Sequence, residues 1–229
     1  MNLHIFYRAK DDVGAGPRPE YFHKRRCFEN FVAEFGNEMV AVVDGDVPRW
    51  LLTKKLIVLD SHGEKTEEGK ASTFIECYKR AIELPDDDWT YFVEDDYLHL
   101  PGSRGKLIDC IEELCPDMIT LYDHPDRYRT DIPEHNPAHH THSVFVTKSH
   151  HWRPVPSTCM TFAASVIALK EGRELFEQWK HVDFELFPRL QGLRGDWPGR
   201  KMLLLGPVPS LATHCQTNVF APLIDWSKV

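Results

Sequence analysis

The run Tyr91-Phe92-Val93-Glu94-Asp95-Asp96 ends an apolar strand in three acidic residues. Adjacent carboxylates repel one another and are costly to take out of water. A divalent cation relieves that repulsion, and oxygen donors suit Mg²⁺ or Mn²⁺. A cation held there with open positions would bind a diphosphate. The plainer alternative is a solvated acidic turn. The strand Tyr91–Val93 pulls the run toward a sheet edge and favours the metal, because open α/β sheets bind ligands beyond the carboxyl ends of their strands.

Other residues could share that chemistry. His214 follows Pro207 and Pro209 in a stretch without helical pattern, which predicts a loop. Taken alone it reads as a structural histidine; carried to the acidic run by a loop, its neutral imidazole would be a Mn²⁺ ligand. Asp183 precedes Phe184-Glu185-Leu186-Phe187 and serves either as a helix cap or, beside a cleft, as a general base; the residues alone leave both open. Gly69-Lys70-Ala71-Ser72-Thr73 resembles a phosphate- or ribose-contacting turn before a helix. There is no Walker pattern, no Gly-x-Gly-x-x-Gly and no Gly-x-Ser-x-Gly elbow, which counts against a P-loop NTPase and a classical dinucleotide enzyme. His135, His139, His140 and His142 have irregular spacing and no framing cysteines, so a solvated loop is favoured over a zinc site. His150-His151-Trp152 and the turn Pro154–Thr158 suit sugar recognition and a structural turn equally.

These groups must be positioned by an alternation of strands and helices. Leu3–Tyr7, Met39–Val43 and Leu56–Leu59 read as strands, the second ending at Asp44. Pro19–Phe35 reads as a helix stopped by Gly36, with Phe28, Phe31, Val32 and Phe35 at helical spacing. Ser72 would cap the next helix, whose stripe is Phe74, Ile75, Tyr78, Ala81 and Ile82. Leu107, Ile108, Ile111 and Leu114 mark another helix, and Met118–Tyr122 a strand ending at Asp123-His124. This rhythm predicts an α/β fold with a mostly parallel central sheet flanked by helices. The second half is less regular: a Pro-, His- and Asp-rich loop over 126–142, a short strand at Val144–Val146, a mixed stretch Met160–Leu169, a helix Glu171–Lys180, a strand Lys201–Leu205 and a tail without clear period. The chain reads as one domain, 1–229, with a nucleotide-binding half (about 1–123) and an acceptor half (about 124–229).

At 229 residues the chain can bury a full core. Its formal net charge of −8 argues against a nucleic-acid or anionic-membrane binder. No stretch reaches membrane-span length and no secretory leader is evident. The six cysteines include no Cys-x-x-Cys and read as reduced thiols, which together predict a cytoplasmic location.

Across nearly its whole length the chain resembles the small single-domain GT-A glycosyltransferases of bacteria and large DNA viruses. The resemblance is carried, in order, by His4-Ile5-Phe6-Tyr7-Arg8, Tyr91–Pro101, Thr120–Asp126, Thr147–Trp152, Pro156–Ala164, Ala212-Thr213-His214 and Pro222–Trp226. It implies a nucleotide-sugar donor, UDP-linked by analogy, and a glycan or other hydroxyl acceptor. Glu94-Asp95-Asp96 would be the metal-binding motif, with Asp96 a direct Mn²⁺ (or Mg²⁺) ligand and His214 a second. Tyr7, Arg8 and Asp44 would surround the base and diphosphate, Ser72 would lie near the ribose, and Asp183 would be the base of an inverting transfer. The chain departs from the pattern at Lys70 and Ala71, where Asn and Gly are usual, and at Pro188 inside the presumed helix. The rival readings are a nucleotidyltransferase, for which Val13-Gly14-Ala15-Gly16-Pro17-Arg18 is a poor phosphate loop, and a non-catalytic nucleotide-sugar or glycan-binding module.

Overall fold

The computed structural model describes residues 1–10, 17–51, 55–59, 67–129, 143–180 and 182–229, with side chains from residue 73 onward in the helix that begins at 67. The four loop histidines His135 to His142 and the glycines of the 13–18 segment lie outside the described residues.

Eleven strands and six helices are described in chain order. The first half comprises β1 (Leu3–Lys10), α1 (Lys24–Phe35), β2 (Val40–Asp44), β3 (Lys55–Leu59), α2 (Glu67–Ala81), β4 (Trp89–Glu94), β5 (Tyr97–His99), α3 (Ser103–Leu114) and β6 (Met118–Ile119). The second comprises β7 (Phe145–Val146), β8 (His151–Pro154), β9 (Phe162–Ser165), α4 (Val166–Glu171), α5 (Arg173–Trp179), α6 (Asp183–Leu190), β10 (Leu204–Val208) and β11 (Ala212–His214). The main sheet has nine strands in the order β3-β2-β1-β4-β9-β6-β10-β8-β7. Only β9 and β8 run against the rest, so the expected mostly parallel α/β sheet is present. A separate two-stranded sheet pairs β5 with β11.

Side-chain alternation splits the core into two layers. Ile5, Tyr7 and Ala9 of β1 and Tyr91 and Val93 of β4 join Phe28, Phe31 and Phe35 of α1. Phe6 and Phe92, on the opposite face, join Phe74 and Tyr78 of α2 and Phe176 and Phe187 of α5 and α6. Each fully buried phenylalanine contributes about 1.5–3 kcal/mol of transfer free energy, and both faces of the central strands are covered.

Several expected boundaries move. Helix α1 starts at Lys24 and not at Pro19, because the His23 ring accepts the Arg26 N–H and caps the helix there. Ser72 is not a cap: α2 begins at Glu67, five residues earlier, and the Ser72 side chain is not described. The expected helix Glu171–Lys180 is two helices, α4 and α5, meeting at Gly172, where an added Cβ would lie 2.8 Å from the Leu190 side chain. Pro188 sits inside α6 without ending it; the Phe184 carbonyl, which a residue-188 N–H would otherwise reach, accepts from Arg194. Among the described residues no helix is long and apolar enough to cross a membrane.

Candidate functional site

Register brings the site together. The parallel pairing of β1 with β4 sets Arg8 opposite Glu94, and that of β1 with β2 sets Lys10 opposite Asp44. The carboxyl ends of three adjacent strands therefore meet at the acidic turn. Beyond the turn, β5 pairs with β11 and aligns Tyr97 with His214. That pairing joins residues 118 apart: His214 Nε2 lies 2.9 Å from Asp96 Oδ2, and its ring stacks on Tyr97 at 5.2 Å. The Cys215 N–H donates to the Asp96 carbonyl at 2.8 Å and fixes the chain there. His214 thus ends a strand, not the loop its surroundings predict, and a paired strand holds the imidazole more firmly.

Each carboxylate of the turn faces its own cation. Glu94 Oε1 is 3.0 Å from Arg8 Nη2, which also donates to the Met160 carbonyl at 2.7 Å. Asp95 Oδ2 is 2.9 Å from Lys24 Nζ and accepts the Lys10 N–H at 3.0 Å. Asp96 Oδ2 accepts from Arg18 Nη2 at 2.6 Å as well as meeting His214. The repulsion that the sequence predicts is therefore relieved by protein side chains in this arrangement.

The protonation equilibria follow these partners. Burial alone would raise the Asp96 carboxyl, but the His214 imidazolium and the Arg18 guanidinium outweigh it and hold Asp96 below the usual carboxylate range. Burial would likewise lower His214; Asp96 first, then Glu94, reverse the direction and raise it. Asp95 is pushed up to about 7 by burial, against the opposing pull of Lys24. Glu94 is raised by burial, partly offset by Arg8, and its 34% exposed side chain lets water screen part of that effect. Glu94 also senses Asp96, His214 and Asp183, which places all four in one electrostatic region.

Asp183, the first residue of α6, reaches across to a neighbouring turn. Its Oδ2 accepts the N–H of Cys159 at 2.8 Å and of Thr158 at 3.3 Å. Cys159 and Met160 both have positive φ, 51° and 60°, a costly pair of left-handed residues without glycine. The carboxylate and Arg8, which binds the Met160 carbonyl, hold that turn from both sides. Burial raises the Asp183 carboxyl, with the Cys159 and Thr158 N–H groups opposing. Asp183 therefore anchors a strained turn as well as standing close to the acidic run.

The other expected site residues divide. Asp44 is buried at the end of β2, with Lys10 Nζ at 3.8 Å. Tyr7 is 1% exposed and packs on Phe28 and Phe31. Being at an odd position of β1 it lies on the face of the sheet that packs against α1. Its hydroxyl has no hydrogen-bond partner among the described residues. Trp152 is fully buried and donates to Thr147 Oγ1, so it is not available to stack on a sugar. Arg18 was visible in the sequence only as the end of a poor phosphate loop, with no pattern to tie it to Asp96.

The fit to a divalent cation is partial. Asp96 Oδ1 is buried with no partner among the described residues, and the 2.9 Å separation of Asp96 Oδ2 and His214 Nε2 suits two adjacent ligands of one ion. Glu94 is turned to Arg8 and does not complete a third. Among the described residues no three His, Cys, Asp or Glu side chains converge as a metal-holding group.

No family model and no curated protein matches this chain. Among solved structures it is similar to S. aureus TarS, at 11% identity and a TM-score of 0.47, over 90% of this chain and 35% of TarS. For a shorter TarS structure in complex with UDP-GlcNAc the values are 9% and 0.45, over 89% of this chain and 56% of that one. The 2-C-methyl-D-erythritol 4-phosphate cytidylyltransferase of Francisella tularensis is similar at 12% and 0.41, over 86% and 83%. This chain spans only about a third of the TarS length, 35%. At these scores they are likenesses of chain trace, and the chemistry of the site has to be read from its own residues.

Proposed function

We propose that this chain is a metal-dependent GT-A glycosyltransferase that moves a sugar from a nucleotide-sugar donor, UDP-linked, to an acceptor hydroxyl with inversion. The observation that carries the reading is the Asp96–His214 pair at the carboxyl end of the sheet, with a buried carboxylate oxygen that has no partner among the described residues. Asp96 and His214 would hold Mn²⁺ or Mg²⁺. When bound, such an ion supplies Lewis-acid stabilisation of the departing nucleoside diphosphate. Arg8 and Lys24 keep Glu94 and Asp95 compensated, so the turn stays compact while it presents Asp96. Asp44, at the end of β2 and beside β1, would lie near the donor's base and diphosphate.

Asp183 is assigned as the base. Its carboxyl is raised by burial, which strengthens it as a proton acceptor, and its backbone bonds to Thr158 and Cys159 fix its direction. It would take the acceptor hydroxyl's proton as that oxygen attacks the anomeric carbon from the face opposite the leaving diphosphate. Inversion is the stereochemistry this reading favours, because Asp183 offers a base for the acceptor.

Incubation with UDP-sugars and Mn²⁺, followed by product analysis, tests the reading. Release of UDP is expected. Release of pyrophosphate from a nucleoside triphosphate and a sugar phosphate would instead make the chain a nucleotidyltransferase. Binding of donor with no turnover in the presence of simple saccharide acceptors or water would make it a binding module.

A further inference from the structure

Arg18 occupies the ground in front of Asp96. Its Nη2 donates to Asp96 Oδ2 at 2.6 Å, and its Nη1 donates to the Cys215 carbonyl at 2.8 Å. The guanidinium carbon lies 4.7 Å from the centre of the Phe22 ring, and Nε is buried with no partner among the described residues. The side chain is 18% exposed and that of Asp96 12%. His214 and Arg18 thus share one oxygen of Asp96, while the other has no partner among the described residues.

The three basic residues of the turn are not held alike. Arg8 belongs to β1, is almost fully buried, and spans Glu94 and the Met160 carbonyl. Lys24 opens α1 and spans Asp95 and the Lys10 carbonyl. Arg18 lies in a segment without regular structure, tied down by the Pro17 carbonyl to the Thr217 N–H and by the Pro19–Phe22 turn. Of the three basic groups it is the one outside a strand or helix. A guanidinium 2.6 Å from Asp96 Oδ2 also excludes a second cation from that oxygen, by contact and by like charge.

We infer that Arg18 is a displaceable counter-cation that couples metal binding to diphosphate binding at this site. The inference rests on the donor-and-metal reading above and adds a residue and a linkage to it. Without nucleotide, Arg18 satisfies Asp96 and competes with a divalent cation. A diphosphate offers the planar guanidinium a bidentate anionic partner and draws it away. Asp96 and His214 are then free for the metal, so each ligand raises the affinity for the other by the same factor.

The test is direct Mn²⁺ binding, followed by the electron paramagnetic resonance signal of free Mn²⁺, with and without UDP. The wild type, Arg18→Gln, Arg18→Lys and Asp96→Asn are compared, each checked for folding by circular dichroism. The wild type should bind Mn²⁺ weakly alone and roughly 10-fold more tightly with UDP, within the usual range of coupling between sites. Arg18→Gln should bind Mn²⁺ more tightly alone and show a smaller UDP effect, keeping only the part that the diphosphate's own oxygens contribute. Arg18→Lys, which keeps the charge, should stay nearer the wild type. Equal Mn²⁺ affinity and equal UDP enhancement in wild type and Arg18→Gln, with binding abolished in Asp96→Asn, would overturn the role of Arg18 and leave the metal reading standing. If wild type and Arg18→Gln both fail to bind Mn²⁺ at all, with or without UDP, the metal reading fails and the linkage fails with it.

Discussion

At Asp183 a base and an anchor make different demands on a substitution. Asparagine keeps an oxygen that can accept the Thr158 and Cys159 N–H groups but cannot take a proton. Asp183→Asn should therefore fold, keep its affinity for UDP and Mn²⁺, and lose roughly 10²–10⁴-fold in kcat. Asp183→Ala removes the acceptor too, and leaving those donors unpaired should cost about 1–3 kcal/mol of stability. Calorimetric UDP binding, steady-state turnover and thermal melts on both variants decide; near-normal turnover of Asp183→Asn would end its assignment as the base. Asp123 and Asp196 are weaker alternatives: Asp123 is committed to Arg153 and Tyr128, and Asp196 is exposed. On the acidic run, Asp96→Asn should abolish Mn²⁺-supported turnover, while Glu94→Gln should be milder because Glu94 faces Arg8. A titration of activity against Mn²⁺ for the two variants ranks them, and the reverse order would count against Asp96 as the ligand. The position of Asp96 in a charged turn at a sheet end was legible because an apolar strand ends in acidic residues. That of Arg18 was not, since nothing in its neighbours' spacing says where an irregular segment carries its side chain.

The element that most needs explaining is β5, three residues that lock His214 in place through β11. It is held by His99, a buried histidine whose Nε2 is 2.8 Å from the Tyr91 hydroxyl and whose ring meets Phe31 and Phe35 edge-on. Burial pushes His99 down to about 3. Between that value and an unfolded value of about 6.5, the unfolded chain holds a proton that the folded chain lacks. The contribution of a neutral His99 is complete above about pH 6.5 and is lost as pH falls toward 3. His99→Gln, which does not titrate, should melt lower at pH 7.5 but show a flatter decline in Tm between pH 6.5 and 4.5. Parallel Tm curves for the two proteins would show that His99 does not carry this proton linkage. Strands β1, β2 and β4 were legible because burial on both faces makes continuous apolar runs. The start of α2 was not, because Glu67, Glu68, Gly69 and Lys70 carry no apolar period and the stripe begins only at Phe74. The antiparallel insertion of β9 between β4 and β6 was hidden too, since it is a long-range pairing that no local spacing encodes.

Over the whole molecule, one sheet separates two aromatic cores and delivers its parallel carboxyl ends to one acidic turn. The mostly parallel architecture followed from the βαβ rhythm of the first half. The site did not follow from that rhythm, because it is closed by β11 and by the Thr158–Met160 turn from the irregular half. A chain of net charge −8 offsets the three carboxylates of this turn with Arg8, Lys24 and Arg18, which removes local negative charge that would repel an anionic donor. The most direct measurement is therefore donor binding by thermal shift, with UDP-, GDP- and dTDP-sugars, with and without Mn²⁺, on the wild type and Asp96→Asn. A donor at 100 times its Kd should stabilise the wild type by about 2.7 kcal/mol in the presence of Mn²⁺. Most of that gain should vanish without Mn²⁺ and in Asp96→Asn. No shift with any nucleotide-sugar, or the same shift in Asp96→Asn as in the wild type, would contradict a nucleotide-sugar site built on Asp96.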